Sequence, residues 1–273
     1  MKILLIVDDY LPGSIKIGAK MMHDLAIEFR ARGHAVTVLT PESSDPSAVG
    51  ISTEEGVTVC RFRTGPIKNT SKVIRAVNET LLPFRAWLKF RTHFLANPHD
   101  LIIYYSPTIF WGPLVMRLKS LWDATSYLVL RDFFPQWVID NGMLREQSRI
   151  TRYFRHIEKW NYEAADRIAV QSPGNLEVFR QMSSVNRPLE VLFNWGPEME
   201  LNRDCDYKAE LGLSGKVIFF YGGNIGHAQD MMNIVRLANR MREYDEAHFV
   251  LIGDGDELGL VRESVERMEL ANL

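Results

Sequence analysis

The residues best suited to chemistry sit in short runs that follow apolar stretches. Gly222-Gly223-Asn224-Ile225-Gly226-His227-Ala228-Gln229-Asp230 sets three glycines between a strand pattern and a helical one. Glycines there let backbone N–H groups close on an anion, and the helix start adds a partial positive charge, which suits a phosphate. A looser version follows the first apolar run: Asp8 and Asp9, then Leu11-Pro12-Gly13-Ser14-Ile15-Lys16-Ile17-Gly18. Its spacing is not the G-x-G-x-x-G dinucleotide fingerprint, which argues against a dehydrogenase, and it also reads as a plain strand-to-helix turn. A third run, Arg131-Asp132-Phe133-Phe134-Pro135-Gln136-Trp137, puts a charged pair at a strand end before bulky aromatics. That suits a pocket wall, or equally a surface ion pair on a turn. Gln171-Ser172-Pro173-Gly174-Asn175 reads as a helix-capping turn.

These runs need a frame that places them together. Short apolar runs at Lys2 to Val7, Ala35 to Leu39, Val57 to Phe62, Asp100 to Tyr105, Ser126 to Leu130, Arg167 to Gln171 and Leu189 to Phe193 read as strands. Segments long enough for helices separate them; in Gly18 to Arg32, Met21, Met22, Leu25, Ala26 and Phe29 recur at helical spacing, and Gly33 follows as a cap. Strands without a polar face indicate a parallel sheet covered on both sides, hence an α/β, Rossmann-like domain over 1–195. Open parallel sheets bind ligands beyond the carboxyl ends of their strands, where all four runs fall. Residues 196–213 read as a linker. Alternation then restarts over 214–273: strand Lys216 to Tyr221, helix Asp230 to Arg242, strand His248 to Ile252, helix Glu257 to Leu270. The second domain is expected to be Rossmann-like and incomplete at its C-terminus.

Composition narrows the class. The chain has 273 residues, 46% hydrophobic and 24% charged, as in ordinary globular proteins. Its 32 basic and 34 acidic residues leave a net charge of −2, which argues against a dedicated nucleic-acid binder. Two cysteines, Cys60 and Cys205, can build neither a disulfide framework nor a four-thiolate metal site. The first apolar run stops at Asp8, too short for a signal peptide, and the uncharged stretch Leu101 to Met116 is broken by Pro107, Gly112 and Pro113.

Taken in order, Gly18, Arg32-Gly33-His34-Ala35-Val36-Thr37-Val38, Ser172 after Arg167-Ile168-Ala169-Val170, Leu192-Phe193-Asn194 and Gly222-Gly223-Asn224 resemble the retaining glycosyltransferases of the GT-B fold, subfamily 4-like. The runs beginning at Arg131 and Gly223 are similar to the branch that builds bacterial surface polysaccharides, including fucosamine and colanic-acid type transferases. The resemblance implies two Rossmann-like domains across a cleft, with a nucleotide sugar held mainly by the second and the acceptor by the first. It implies no metal or other cofactor. Donor binding would fall to Gly18, Gly223, Asn224, Gly226, His227 and Gln229, the catalytic position to Asp132, and the acceptor pocket to Arg131 and Phe134. Two departures stand out. Asn224 and Gln229 take positions where many relatives carry arginine and lysine, and Asp132 stands where many carry histidine. A carboxylate there cannot stabilise a leaving diphosphate; it could accept hydrogen bonds from sugar hydroxyls or orient the acceptor.

Arg61 to Leu95 carries eight basic residues and one acid, net +7. Leu81, Leu82, Phe84, Trp87, Leu88, Phe90 and Phe94 are interleaved at near-helical spacing. This reads as a helix packed on the sheet with solvated cations outside, as a peripheral contact with an anionic membrane through Lys72, Arg75, Arg85 and Lys89, or as both. The expected activity is sugar transfer to a lipid-linked acceptor at the cytoplasmic face of the plasma membrane. The alternatives are a GT-B sugar-nucleotide epimerase and a truncated, non-catalytic nucleotide-binding module.

Overall fold

Alternating burial along the first strand organises the molecule. In the computed structural model, which describes residues 1–14, 16–67, 70–196 and 206–273, β1 (Lys2–Ile6) points Ile3 and Leu5 to one face of a sheet and Leu4 and Ile6 to the other. All four side chains are buried, so both faces must be covered. The chain divides into two units, Met1–Glu198 and Met199–Leu273.

In the first unit the elements follow as α1 (Ile17–Ala31), β2 (Ala35–Glu42), β3 (Gly50–Glu54), β4 (Val57–Arg63), α2 (Lys72–Thr80), α3 (Leu82–Ala96) and β5 (Leu101–Ser106). Then come α4 (Gly112–Trp122), β6 (Thr125–Leu130), α5 (Gln136–Asp140), α6 (Arg149–Glu163), β7 (Arg167–Val170), α7 (Pro173–Met182) and β8 (Leu189–Val191). They build one sheet in the order β3-β4-β2-β1-β5-β6-β7-β8. Every pairing is parallel except β3 with β4, where Ile51 faces Cys60. β1 pairs with β2 (Ile3 to Val36) and with β5 (Ile3 to Leu101), so the chain reverses its direction of travel across the sheet at β1. On one face α3, α4, Tyr162 and Phe179 cover Leu4, Ile6, Ile102, Tyr104 and Leu128. On the other, Met22 and Ala26 of α1 cover Ile3, Leu5, Val38, Ile103 and Tyr105. Gly33 takes a left-handed backbone (φ 82°) directly after α1, as its position predicts.

The second unit opens with a short helix, α8 (Tyr207–Glu210), then β9 (Val217–Gly222), α9 (Met231–Arg240), β10 (Ala247–Ile252) and α10 (Leu258–Arg267). β9 and β10 pair in parallel. Met231, Val235, Ala238, Phe249 and Val261 form its core.

The strand expectations hold to within a few residues. β3 went unpredicted because only Ile51 is a large apolar residue in it and it lies open at the sheet edge. α8 lies inside the expected linker, of which 197–205 fall outside the described residues.

The basic stretch is less uniform than its sequence suggests, and two of the four proposed membrane contacts change character. Arg85 turns inward and donates to Thr64 Oγ1 (2.9 Å) and Asn78 Oδ1 (3.1 Å). Arg75 is exposed but pairs with Glu79 at 2.9 Å. Arg61 is buried in β4, bound to Glu54, to Ser52 and to the Leu11 carbonyl. Lys72 and Lys89 remain exposed, with no ion pair among the described residues.

Candidate active site

The reversal at β1 leaves a crevice beyond the carboxyl ends of β1 and β5, the place where open α/β sheets take ligands. Asp8 and Asp9 follow β1. Tyr105 and Ser106 close β5, Arg131 and Asp132 follow β6, and Gly18 lies in the first turn of α1. A Cβ built on Gly18 would stand 2.9 Å from the Tyr105 hydroxyl and 3.3 Å from its ring. Gly18 is thus required first by the close approach of α1 to Tyr105, a reason the sequence did not reveal. The Arg131 guanidinium lies 5.8 Å from the Tyr105 ring centre and 3.5 Å from the Met21 sulfur of α1. Burial raises the Tyr105 phenol above its ordinary pKa; Arg131 opposes the rise, and Asp8 and Asp132 reinforce it. Tyr105 is therefore the common neighbour of Gly18, Arg131, Asp132 and Asp8, and it is the member that the candidate runs lack.

The loop after β1 is tied down from two sides. Arg61 of β4 holds the Leu11 carbonyl, and the Tyr10 hydroxyl meets His23 Nδ1 at 2.9 Å. Asp9 pairs with Lys16 at 3.3 Å. The Asp8 carboxyl is pushed up to about 6, chiefly by burial, with Lys16 opposing. Asp132 keeps solvent contact; the protein packed around it still raises its carboxyl pKa, and Arg131 partly offsets this. The half-buried Phe134 ring packs edge-on against Phe154, 4.9 Å between centres, beside a small cluster of Ile109, Phe110 and Ile157, which fixes the face it could turn to an acceptor. A cavity of about 140 Å³ lined by Phe133, Glu158, Tyr162 and Phe179 is too small for a sugar nucleotide, since ligand pockets run from about 300 Å³.

Buried His99 and half-buried Asp8 of the first unit titrate with opposite signs. His99 stacks beside Trp122 and meets Thr37 Oγ1 at 3.0 Å, and burial lowers its pKa to about 4. The unfolded chain takes up that proton near pH 6.5, so stability contributed by neutral His99 is lost as pH falls from 6.5 through 4. Asp8 holds a proton in the folded state up to about pH 6 but releases it near 3.8 when unfolded. Its contribution is present at low pH and lost as pH rises from 3.8 through 6. Each shift corresponds to about 3 kcal/mol. Between pH 4 and 6 the two slopes oppose. Asp8→Asn is expected to steepen acid destabilisation and to stabilise the protein at neutral pH, whereas His99→Gln should flatten or reverse the acid limb. Urea unfolding from pH 4 to 7.5 reads both; unchanged slopes in the variants would discard the assignment.

In the second unit the loop after β9 is knitted to the loop after β10. Gly223 donates its N–H to the Ile252 carbonyl, Ile225 to that of Asp254, and Glu257 to that of Ile225. A Cβ on Gly253 would overlap the Gly223 carbonyl oxygen, and one on Gly255 the Ile225 carbonyl. Gly253-x-Gly255 directly after a strand was a legible signal that sequence reasoning passed over. Asn224 Nδ2 donates to Gln229 Oε1 at 2.9 Å, which engages one of the two Asn224 amide hydrogens and leaves the Gln229 amide hydrogens out of this bond. The exposed His227 ring meets Glu257 Oε1 at 3.2 Å instead of standing free. Gly226 sits against Asn224 and Asp256. Among the described residues, no group of three or more His, Cys, Asp or Glu is placed to hold a metal ion.

A parallel sheet with its reversal at β1/β5, followed by a restarted β-α unit with a glycine-built loop, defines a chain of Rossmann-like units as found in GT-B glycosyltransferase structures. Residues 18–195 match the glycosyl transferase 4-like domain, and the chain belongs to that family. WbjE of Pseudomonas aeruginosa, named as a glycosyltransferase, is 27% identical over 150 residues, 54% of this chain and 37% of that protein. WcaI of Escherichia coli strain K12, named as a colanic acid biosynthesis glycosyl transferase, is 24% identical across 100% of this chain and 70% of its own length. Among solved structures, sucrose-phosphate synthase from Thermosynechococcus elongatus gives a TM-score of 0.72 at 17% identity, covering 99% of this chain and 68% of that one. Anabaena Alr3699/HepE in complex with UDP gives 0.64 at 15% identity, covering 100% of this chain and 67% of that one. These structures support the fold.

Proposed function

We propose that this chain moves a sugar from a nucleotide-sugar donor to a lipid-linked saccharide acceptor, with retention of configuration, in surface-polysaccharide assembly. It would work without a metal or other cofactor, held peripherally at the cytoplasmic face of the plasma membrane. The observation that carries the reading is the convergence of Gly18, Tyr105, Arg131 and Asp132 at the β1/β5 crevice of a glycosyl transferase 4-like chain. WcaI is named for colanic acid biosynthesis, and Alr3699/HepE has been solved with UDP-glucose, which supports the donor and product classes.

Charge develops on the departing diphosphate in such a transfer, and preorganised N–H groups stabilise it best. In the second unit the glycine-built loop after β9 supplies that backbone, with Asn224 and Gln229 as neutral donors. In the first, Asp132 would accept hydrogen bonds from sugar hydroxyls or orient the acceptor, and Arg131, braced on Tyr105 and Met21, would fix its position. Among the described residues no helix is long and apolar enough to cross a membrane, so attachment through the surface of α2 and α3 suits this role.

The test is nucleoside diphosphate release from a panel of nucleotide sugars, with and without lipid acceptor, and the anomeric configuration of the product by NMR. Acceptor-dependent release with retention is the expected result. The Asn224–Gln229 amide pair favours a second reading, a nucleotide-binding unit without catalysis. Selective thermal stabilisation by a nucleotide sugar with no release under any condition would select that reading.

A further inference from the structure

Helices α2 and α3 carry two apolar stripes, and one of them is exposed among the described residues. The backbone runs nearly unbroken through Leu81, which donates its N–H to the Val77 carbonyl and accepts from Arg85 N–H. Pro83, lacking an N–H, accounts for the interruption between the helices. At about 100° per residue along this path, Leu82, Ala86, Phe90 and Phe94 share the face packed on the sheet. Val73, Val77, Leu81, Phe84, Leu88 and Leu95 fall within about 80° of one another on the opposite side. That outer stripe is open to solvent: Val73 is 74% exposed, Phe84 58% and Leu88 68%. A helix on the surface of a soluble protein ordinarily presents polar residues there, and a contiguous apolar patch marks an interaction site.

Charge selects the partner. On the same path Arg91 falls within the stripe, with Lys89 about 80° and Lys72, in the first turn of α2, about 100° beyond its edges; all three are exposed and without an ion pair among the described residues. Glu79, the one acid in the two helices, is taken by Arg75. A second copy of the chain would set cation against cation. A bilayer surface with anionic headgroups meets the lysines and arginine with opposite charge and offers acyl chains to the stripe.

We propose that this face inserts into the interfacial layer of an anionic membrane, with Phe84 and Leu88 as its central side chains. Attachment then has an apolar part that persists when salt screens the charges. The proposal names the partner surface for the membrane-linked reading above and rests on that reading for where the protein works.

The full chain is to be sedimented with vesicles of phosphatidylglycerol and phosphatidylcholine, and with phosphatidylcholine alone. At low salt, anionic vesicles should bind it and neutral ones much less, and Lys72→Glu with Lys89→Glu should lower binding. After salt is raised to roughly 1 M, where the screening length falls to about 3 Å, the wild type should remain bound. Phe84→Ser with Leu88→Ser should lose that salt-resistant fraction ~10-fold or more while keeping the wild-type circular dichroism. A wild type that salt strips completely overturns the proposal. So does a serine variant that stays bound like the wild type, or a self-association in gel filtration that the same substitutions abolish. Diphosphate release with a water-soluble acceptor analogue separates the two readings. Vesicle binding without release leaves the insertion standing and removes the transferase, and release without vesicle binding does the reverse.

Discussion

Gly253→Ala is expected to lower the stability of the second unit by about 3 kcal/mol and to abolish its nucleotide-sugar binding. The new methyl group would overlap the carbonyl oxygen of Gly223, which belongs to the very loop proposed to hold the diphosphate. Backbone cannot swing away as a side chain can, so either the β9 loop moves or its hydrogen bonds to Ile252 and Asp254 break. Overpacking of this kind costs about 1–3 kcal/mol where relaxation is possible, and more where it is not. Gly259→Ala supplies the control. Nothing lies within 4 Å of a Cβ there, the residue is helical, and alanine should be neutral or stabilising by about 0.5–1 kcal/mol. Thermal unfolding, amide exchange of β9 and β10, and titration calorimetry read the outcome. A Gly253→Ala protein with wild-type exchange and affinity would show that the two loops are not locked together.

Asp132→Asn is expected to cut turnover about 100-fold with little change in unfolding midpoint. The substitution keeps size and hydrogen-bonding capacity and removes one charge from a group that sits beyond the carboxyl end of β6, beside Arg131. General acid–base and positioning carboxylates contribute on that scale, while an exposed carboxylate without a close structural partner contributes little to stability. Its raised pKa adds a second signature: the acid limb of the rate profile should lie above the ordinary carboxylate range in the wild type and be absent in the variant. Wild-type turnover with the lipid acceptor would make Asp132 a bystander.

The frame was legible because burial on both faces writes continuous apolar runs. Ile3 to Val7, Ile102 to Tyr105 and Ile168 to Val170 are short enough, and bounded closely enough by turn residues, to read as buried strands, and the sheet buries them. β3 escaped because an edge strand buries little and so has no such signature. The candidate site was legible as loops and much less as contacts. Asp132, Arg131 and Gly18 were found from their places after strands or before a helix. That Gly18 is a seat for Tyr105, or that Asn224 donates to Gln229, depends on side chains meeting across turns, which no spacing rule encodes. The basic stretch shows the same limit. Its apolar residues have one helical period but two destinations, and only the sheet's position separates Phe90, in the core, from Phe84, outside it.

The central place of β1 has a consequence for how the protein is made. Its partner in one direction, β2, is about 33 residues away, but its partner in the other, β5, begins at Leu101. At roughly 5–20 residues per second on the ribosome, the first strand waits on the order of 5–20 s for that neighbour to be synthesised. In the interval the hairpin of β3 and β4 forms locally, in microseconds, and offers β2 an edge to join. The flank of the sheet is thus assembled before its middle, and Ile3 and Leu4 stay half-uncovered on the nascent chain until β5 emerges. Chaperone capture, or a slowed stretch of translation near residue 100, would act on this one strand before any other.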